Sequence, residues 1–153
     1  MQCVIKTPIG PIEITQEESA ITGIHYKEGA LPIPPETELL KEAAKQFEEY
    51  FAETRKEFDL PLAISGSPFF AAILKELPKL VPYGKTASYG EVAEMMGSPG
   101  ASRAVGSAMK KNPFVIVVPC HRVTKAGGVL GCYSAGGEGN KRLLLKHEGA
   151  IQG

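Results

Sequence analysis

The most constraining feature of the sequence is the stretch 114–123, which reads Phe-Val-Ile-Val-Val-Pro-Cys-His-Arg-Val. Five apolar residues, four of them β-branched, predict a buried strand that Pro119 ends. A strand end holds side chains rigidly, so the pattern places Cys120 and His121 where a reactive group is best fixed. The neighbouring His121 and Arg122 also favour a thiolate. Taken alone, a cysteine after an apolar run is more often a small buried hydrophobic side chain than a nucleophile, and the rest of the chain must decide.

The chain length and composition predict a compact protein of one ordinary core, or of a small domain beside a larger one. It has 153 residues, of which 43% are hydrophobic. No apolar run reaches the roughly 18 residues needed to span a membrane, and the N-terminus does not resemble a signal peptide. The three widely spaced cysteines do not predict a disulfide framework. We therefore expect a cytoplasmic protein with no membrane association.

Charge is divided unevenly along the chain although the net charge is zero. Residues 1–74 contain 6 Lys and Arg against 12 Asp and Glu, whereas residues 75–153 contain 11 against 5. The first segment therefore has a formal charge of −6 and the second of +6. A basic second half is typical of a protein that binds a polyanion, and it is also typical of an ordinary solvated face.

The first half of the sequence predicts a small antiparallel sheet covered by one helix. Three short segments rich in Ile, Val and Thr, at 2–7, 12–16 and 20–26, are separated by turn residues. Apolar residues then recur at helical spacing over 37–54. The segment 57–64 reads as an extended link. We therefore predict an N-terminal domain at 1–62 and a second domain at 63–153.

The second half predicts short helices joined by tight turns. Ser67 and Pro68 are a helix start, and Ser88 with Glu91 forms a capping box for a helix to about Met96. A second helix is predicted from Ser98-Pro99 to Asn112-Pro113. This pair is a helix-turn-helix pattern, although two packed helices are also a common way to bury a core. Small and basic residues on the outward arc of the second helix favour nucleic acid: Ser102, Arg103, Gly106, Ser107, Lys110 and Lys111.

The C-terminal segment contains a glycine-rich loop and a last helix. The glycines of 131–137 permit close backbone approach to a ligand. A helix is predicted from about Asn140 to His147, with Leu143, Leu144 and Leu145 in the core. Glu148 would follow it directly, before Gly149.

Taken together, these motifs resemble the O6-alkylguanine-DNA alkyltransferases, also called methylated-DNA–protein-cysteine methyltransferases. The resemblance covers about 48–150 and rests on motifs that occur in order: Arg103-Ala104-Val105-Gly106, Asn112-Pro113, Pro119-Cys120-His121-Arg122-Val123, Gly131, Tyr133-Ser134 and Glu148-Gly149. It implies an α/β (α+β) fold. A small ribonuclease-H-like domain of sheet and helix would precede a mainly helical C-terminal domain of winged-helix or helix-turn-helix type.

The resemblance also implies a reaction. Cys120 would accept the alkyl group irreversibly from O6-alkylguanine, and from O4-alkylthymine, by SN2 attack in a single turnover. His121 would take the thiol proton through a water molecule, and Glu148 would orient the imidazole. No cofactor and no metal are expected. The partner would be double-stranded DNA containing the lesion, bound by a monomer.

Base flipping from the minor groove is the remaining part of the implied mechanism. Tyr89 would rotate the target nucleotide and donate to the purine N3, and Arg103 would replace the extruded base in the stack. Ser102 and Gly106 would contact the DNA backbone. The pocket and its support would be formed by the remaining matched residues: Asn112, Val123, Tyr133 and Ser134.

The sequence departs from the family pattern in the pocket loop. One extra residue lies between Tyr133 and Lys141, which puts the range of alkyl groups in doubt. Cys132 lies beside the expected pocket; we expect it to be inert, with secondary alkylation or oxidative pairing with Cys120 as alternatives. Two other functions compete with alkyl transfer. One is a lesion marker that flips the base without repair, a group that lacks the acceptor cysteine. The other is a cysteine hydrolase using Cys120, His121 and Glu148, which would leave Arg103 unexplained.

Overall fold

A computed structural model describes residues 1–152 and divides the chain into two compact units, Met1–Ala63 and the remainder from Ile64. The first unit is a three-stranded sheet with one helix, and the second is mainly helical. The predicted α/β (α+β) class, with sheet and helix preceding a helical unit, is therefore confirmed. Within residues 1–152, no helix combines the length and the apolar character that crossing a membrane requires.

The N-terminal unit is an antiparallel meander of β1 (Gln2–Thr7), β2 (Gly10–Glu17) and β3 (Ala20–Tyr26). The register aligns Cys3 with Ile14 and Ile14 with Ile24, and all three side chains are buried. Helix α1 (Glu38–Phe51) packs on β1 and β2. Thr37 caps it, because its Oγ1 accepts from the Leu40 amide at 3.0 Å. The chain then returns to β3, where the Ile21 amide donates to Pro61 O at 2.7 Å.

The second unit begins with α2 (Pro68–Leu80), which Ser67 caps and Pro68 opens as predicted. The predicted capping box is also present: the Ser88 amide donates to Glu91 Oε1 at 2.8 Å, and the Glu91 amide donates to Ser88 Oγ at 3.1 Å. It opens α3 (Tyr89–Met95), which packs against α4 (Ser102–Lys111). A short parallel pair follows, β4 (Ala87–Ser88) with β5 (Val123–Thr124), and α5 (Gly137–His147) completes the unit.

Two helix predictions need correction. Helix α4 begins at Ser102 rather than at Ser98. Pro99 and Gly100 form a turn instead, in which the Ala101 amide donates to Ser98 O at 2.9 Å. Leu143 of α5 is 37% exposed, whereas Leu144 and Leu145 are buried. Three consecutive helical residues are spread over more than half a turn, so one core cannot bury all of them.

The predicted strand at 114–118 is wrong in conformation although correct in burial. All five side chains are buried, but the backbone turns back on itself, and the Val118 amide donates to Phe114 O at 2.9 Å. Ile116 has φ +73°, in the left-handed region that β-branched residues rarely adopt. Cys120 consequently begins a single 3-10 turn, Cys120–Arg122, instead of following a strand end.

Candidate active site

Asn112 fixes the turn that precedes Cys120. Its Nδ2 donates to Val118 O at 2.8 Å, and its Oδ1 accepts from the Phe114 amide at 2.9 Å. These two bonds tie together the two ends of the segment that contains the left-handed Ile116. Cys120 is thereby placed at a defined point, with only 4% of its surface exposed.

Behind Cys120 lies a buried cluster built on Glu148, the residue that follows the last turn of α5. Glu148 Oε2 lies 2.7 Å from His121 Nε2. The Arg122 guanidinium binds the same carboxylate with two bonds, Nε to Oε1 at 2.8 Å and Nη2 to Oε2 at 3.0 Å. All three side chains are buried. A charge-assisted bidentate pair of this kind holds the carboxylate in one orientation.

Burial outweighs the charges of this cluster in setting the protonation state of His121. Burial alone would raise the pKa of Glu148, but His121 and Arg122 overcome it and hold that pKa well below the ordinary value. Burial lowers the pKa of His121 more than the Glu148 charge raises it, so the imidazole is neutral. The ionised carboxylate can only accept, so the neutral ring donates from Nε2. Nδ1 is then the basic nitrogen, and it is buried with no hydrogen-bond partner within residues 1–152.

Arg122 does not act on the thiol as the sequence suggested. Its remaining nitrogen, Nη1, donates to Val81 O at 2.9 Å, so the guanidinium is directed to Glu148 and the backbone. Burial raises the pKa of Cys120, and hydrogen bonding to Asn112 and the charge of Lys141 oppose this only in part. The thiol is therefore protonated in the free protein, and a thiolate has to be generated when a substrate binds.

Cys120 lines a cavity of about 180 Å³. The cavity is lined by two thiols, two phenols, a buried ammonium and an exposed one, and its lining residues are Tyr89, Met109, Lys110, Cys120, Cys132, Tyr133, Ser134 and Lys141. A larger cavity of about 330 Å³ lies between the start of α2 and α4, and its described lining has neither a thiol nor an imidazole. The smaller cavity is therefore the one suited to nucleophilic chemistry.

Lys141 is a site residue that the sequence reasoning missed. Only 1% of its surface is exposed, and its Nζ donates to Val123 O at 2.7 Å. A signal was present, because Lys141, Leu144, Leu145 and Glu148 follow the i, i+3, i+4, i+7 spacing of one helix face. Lysine is so rarely buried that this spacing predicts only the leucines as core residues.

The other predicted residues divide between the cavity and α4. The cavity lining includes Tyr89, Tyr133 and Ser134 together with Cys120. Val123 is buried and is not among the lining residues, but its carbonyl accepts a hydrogen bond from Lys141, which is one of them. Ser102 and Arg103 are exposed on the first turn of α4 and are not among the cavity residues. Gly106 connects the two regions, since a Cβ there would lie 3.9 Å from the Tyr89 ring.

A metal centre is not formed by these groups. Among residues 1–152, no three or more His, Cys, Asp or Glu side chains are arranged to hold an ion. The arrangement offers instead a protonated thiol, a neutral imidazole oriented by a carboxylate, and an adjoining cavity with phenol and ammonium donors. Such a set can deprotonate a thiol and direct it at an electrophilic carbon.

Comparison with known proteins gives matches over both units. Residues 68–150 match the family model of the 6-O-methylguanine DNA methyltransferase DNA binding domain, and residues 2–64 match that of its ribonuclease-like domain. A methylated-DNA–protein-cysteine methyltransferase of Methanosarcina acetivorans is 41% identical, with 96% of this chain and 97% of that protein covered. The mouse protein of the same name is 35% identical, with 98% and 82% covered. The crystal structure of Mycobacterium tuberculosis OGT in complex with DNA superimposes with a TM-score of 0.85 at 40% identity, covering 96% of this chain and 91% of that one.

Proposed function

The chain belongs to the 6-O-methylguanine DNA methyltransferase family, and from this premise we propose that Cys120 is its alkyl acceptor. The protein is a DNA repair enzyme that transfers alkyl damage from DNA to one of its own cysteines. One observation supports Cys120 over the other two cysteines. Cys120 is buried in the cavity lining and in the chain directly precedes His121, whose imidazole Glu148 orients. Cys3 is buried in the N-terminal sheet, and Cys132, which also lines the cavity, is exposed on a loop.

The proposed reaction is a single displacement at carbon. Cys120 Sγ attacks the methyl carbon of O6-methylguanine, so that the S–C bond forms as the C–O6 bond breaks. The electron pair of the broken bond passes to the guanine, which takes up a proton in place of the methyl group. The thioether has no route back, and each molecule acts once. O4-alkylthymine presents the same kind of carbon and is proposed as a second substrate.

His121 is the proposed base that receives the thiol proton. Its Nδ1 is the free acceptor of a neutral ring whose Nε2–H is held by Glu148. A bridging water between Sγ and Nδ1 is supported by two buried polar atoms without a partner in residues 1–152, His121 Nδ1 and the Tyr133 hydroxyl. Buried polar atoms of this kind normally bind water. The two rings are neighbours, with centroids 6.4 Å apart.

Tyr89 and the cavity loop are proposed to hold the alkylated base. Burial raises the pKa of Tyr89, and charge on Cys120 and Cys132 raises it further, so its hydroxyl keeps the proton that it would donate to the purine N3. The Val123 carbonyl, already bonded to Lys141, is proposed to accept from the base edge through its second lone pair. Tyr133 and Ser134 would form the wall against the alkyl group.

The exposed arc of α4 is proposed as the DNA-binding surface. Arg103 lies on its first turn, beside Ser102, where a guanidinium can enter the space that an extruded base leaves. The half-buried Gly106, adjacent to Tyr89, allows DNA backbone to approach the helix. We propose that α4 enters the minor groove in this orientation, and that the protein acts as a monomer in the cytoplasm.

The test is incubation of the reduced protein with a duplex that contains a single O6-methylguanine. We expect the intact mass to rise by one methyl group per molecule and no further. The modification should lie on the peptide Asn112–Arg122, which trypsin releases and which contains Cys120. Cys132→Ser is the matched control and should still accept the methyl group, whereas Cys120→Ser should not.

The competing functions give different results in the same assay. A lesion marker would bind the duplex tightly with no change in mass. A cysteine hydrolase would turn over a thioester or amide repeatedly without DNA. Methylation of Cys132 or Cys3 with Cys120 unchanged would refute the assignment of the acceptor while leaving alkyl transfer in place.

A further inference from the structure

We propose that Cys120 and Cys132 form a reversible intramolecular disulfide when the protein without DNA meets a peroxide. The inference rests on the proposed role of Cys120 as alkyl acceptor, and it assigns a role to a thiol that the repair reaction does not use. Both side chains line the same small cavity of about 180 Å³. Two thiols that share so small a space are candidates for direct bonding.

Two neighbouring groups lie close to both thiols. Burial raises the pKa of Tyr89, and charges on Cys120 and on Cys132 both raise it further. Burial lowers the pKa of Lys141, and charges on the same two thiols both oppose that change. Tyr89 and Lys141 line the cavity as well. The two thiols therefore share this cavity with one buried ammonium, whose charge lowers the pKa of Cys120 against the effect of burial.

The two thiols differ in their backbone setting, since Cys120 follows a hydrogen-bonded turn and Cys132 lies on a glycine-rich loop. Cys120 follows a turn that Asn112 closes. Cys132 is exposed and comes directly after Gly131, whose φ is +79°, and the same loop ends at Gly136 and Gly137, with φ of +95° and +84°. A disulfide needs a Cα separation of about 4.4–6.8 Å. The glycines give the Cys132 side of the pair the backbone freedom to reach it.

The chemistry requires only a peroxide as co-reactant. The exposed Cys132 sulfur attacks one peroxide oxygen and becomes a sulfenic acid, while the other oxygen leaves as water. Cys120 Sγ then attacks the sulfenic sulfur. The S–S bond forms as the S–O bond breaks, and hydroxide leaves with the thiol proton as a second water. Two thiols are oxidised, one peroxide is reduced, and a thiol reductant reverses the product.

The consequence is protection of an acceptor that can be used only once. A sulfinic or sulfonic acid at Cys120 would end its capacity to accept an alkyl group, whereas a disulfide can be reduced. The oxidised protein is expected to be inactive toward alkylated DNA until a reductant restores it.

The test uses the full chain, reduced and free of DNA, treated with an equimolar amount of hydrogen peroxide and then denatured in N-ethylmaleimide. We expect the mass of the chain to fall by two hydrogens and only one maleimide to add, at Cys3, where untreated protein takes three. Tryptic digestion without reductant should yield Asn112–Arg122 joined to Ala126–Lys141. Methyl acceptance should fall to near zero and return fully with dithiothreitol.

Cys132→Ser separates this proposal from simple oxidation of Cys120. In that variant, an equimolar amount of peroxide should leave methyl acceptance largely intact, because the exposed sulfur that peroxide attacks first is absent. A large excess of peroxide should cause a loss that dithiothreitol does not restore, because Cys120 then passes beyond the sulfenic acid. The absence of the joined peptides, or identical loss and recovery in the two proteins, would overturn the proposal. Detection of the joined peptides needs no DNA, so a protein that accepts no methyl group at all would refute the proposed function without affecting this result.

Discussion

Burial acts on Cys120 and His121 in directions that suit one reaction. It raises the pKa of the thiol and lowers that of the imidazole, so both groups are neutral in the free protein near neutral pH. Alkyl transfer then has to begin with movement of the thiol proton toward His121. The rate of transfer therefore depends on the groups that stabilise the thiolate. The positive charge of Lys141 is one such influence, because it lowers the pKa of Cys120.

Lys141→Met tests that electrostatic role. Removal of the ammonium should raise the pKa of Cys120, slow alkyl transfer about tenfold near neutral pH, and move the pH–rate profile about one unit toward alkaline pH. Single-turnover rates with free O6-benzylguanine, measured across pH, give this profile without DNA binding. The methionine preserves most of the buried volume but leaves Val123 O without its donor, so stability should fall by about 1–3 kcal/mol while the protein remains folded.

The matched control is Lys146→Met, an exposed lysine one turn or more further along α5. Its rate and profile should equal those of the unsubstituted protein. If Lys141→Met slowed the reaction equally at every pH, its role would be structural instead of electrostatic.

Glu148→Gln should destabilise the protein because Glu148 holds both His121 and Arg122. Loss of the Glu148 charge leaves the Arg122 charge buried and uncompensated, which should lower the free energy of unfolding by about 3 kcal/mol. The folded-state pKa of Glu148 is depressed, so its contribution is complete above the unfolded pKa of about 4.3 and is lost as pH falls below it. The difference in unfolding free energy between the two proteins should therefore be constant from about pH 5 to 7 and shrink in acid.

Urea unfolding at several pH values measures this difference. Glu138→Gln, on the exposed side of the same helix, should change stability by less than about 0.5 kcal/mol. A difference for Glu148→Gln that stayed the same down to pH 3 would mean that its carboxylate charge is not what stabilises the cluster.

At the scale of elements, the sequence predicts what local chemistry determines. The capping box of Ser88 and Glu91 was predicted because both partners lie within one turn of the same helix. The turn at 114–118 is not predicted, because its β-branched residues favour a strand. The turn depends on the Asn112 side chain, which binds the backbone at both ends of the segment. A side-chain amide that bridges two backbone groups leaves no periodic signal in a sequence.

The turn before Cys120 should therefore depend on Asn112 for both shape and stability. In Asn112→Ala, Val118 O and the Phe114 amide lose their buried partner, and left-handed Ile116 loses the bonds that hold it. We expect a loss of about 2–3 kcal/mol and a slower alkyl transfer, even at temperatures where the variant is fully folded. Thermal unfolding and single-turnover rates measure the two effects separately.

Gln46→Ala is the matched control in the N-terminal unit. Gln46 is also a buried amide that bridges backbone, with bonds to the Asp59 amide at 2.9 Å and to Asp59 O at 3.0 Å. Its removal should reduce stability similarly and leave the rate of alkyl transfer unchanged. A similar loss of rate in both variants would indicate a general response to instability.

For the whole molecule, the charge boundary and the structural boundary coincide. The unit Met1–Ala63 contains 6 Lys and Arg against 12 Asp and Glu, and the remainder of the chain contains 11 against 5. Composition therefore predicts which unit meets a polyanion. Composition does not predict where on that unit the DNA lies. The exposed cations of α4 and the buried Lys141 and Arg122 contribute equally to the net charge, but only exposed cations can contact phosphates.

Arg103 should matter for duplex substrate and not for a free base. If the cations of α4 bind phosphates while the cavity performs the chemistry, Arg103→Ala should slow transfer from a methylated duplex by about tenfold or more. It should leave the reaction with free O6-benzylguanine within about twofold of the unsubstituted protein. Raising the salt concentration from about 50 to 200 mM should likewise affect only the duplex reaction.

Lys111→Gln and Lys45→Gln distinguish the two units in the same experiment. Both lysines are exposed, the first at the end of α4 and the second on α1. Loss of one phosphate contact should reduce the slope of log binding constant against log salt by about one for Lys111→Gln and by nothing for Lys45→Gln. Equal salt slopes for the two lysine variants would mean that the end of α4 does not contact phosphates. Equal losses of rate for Arg103→Ala on the duplex and on the free base would mean that Arg103 has no role in base flipping. Because the free-base reaction depends on the cavity alone, it separates either failure from damage to the chemistry of Cys120.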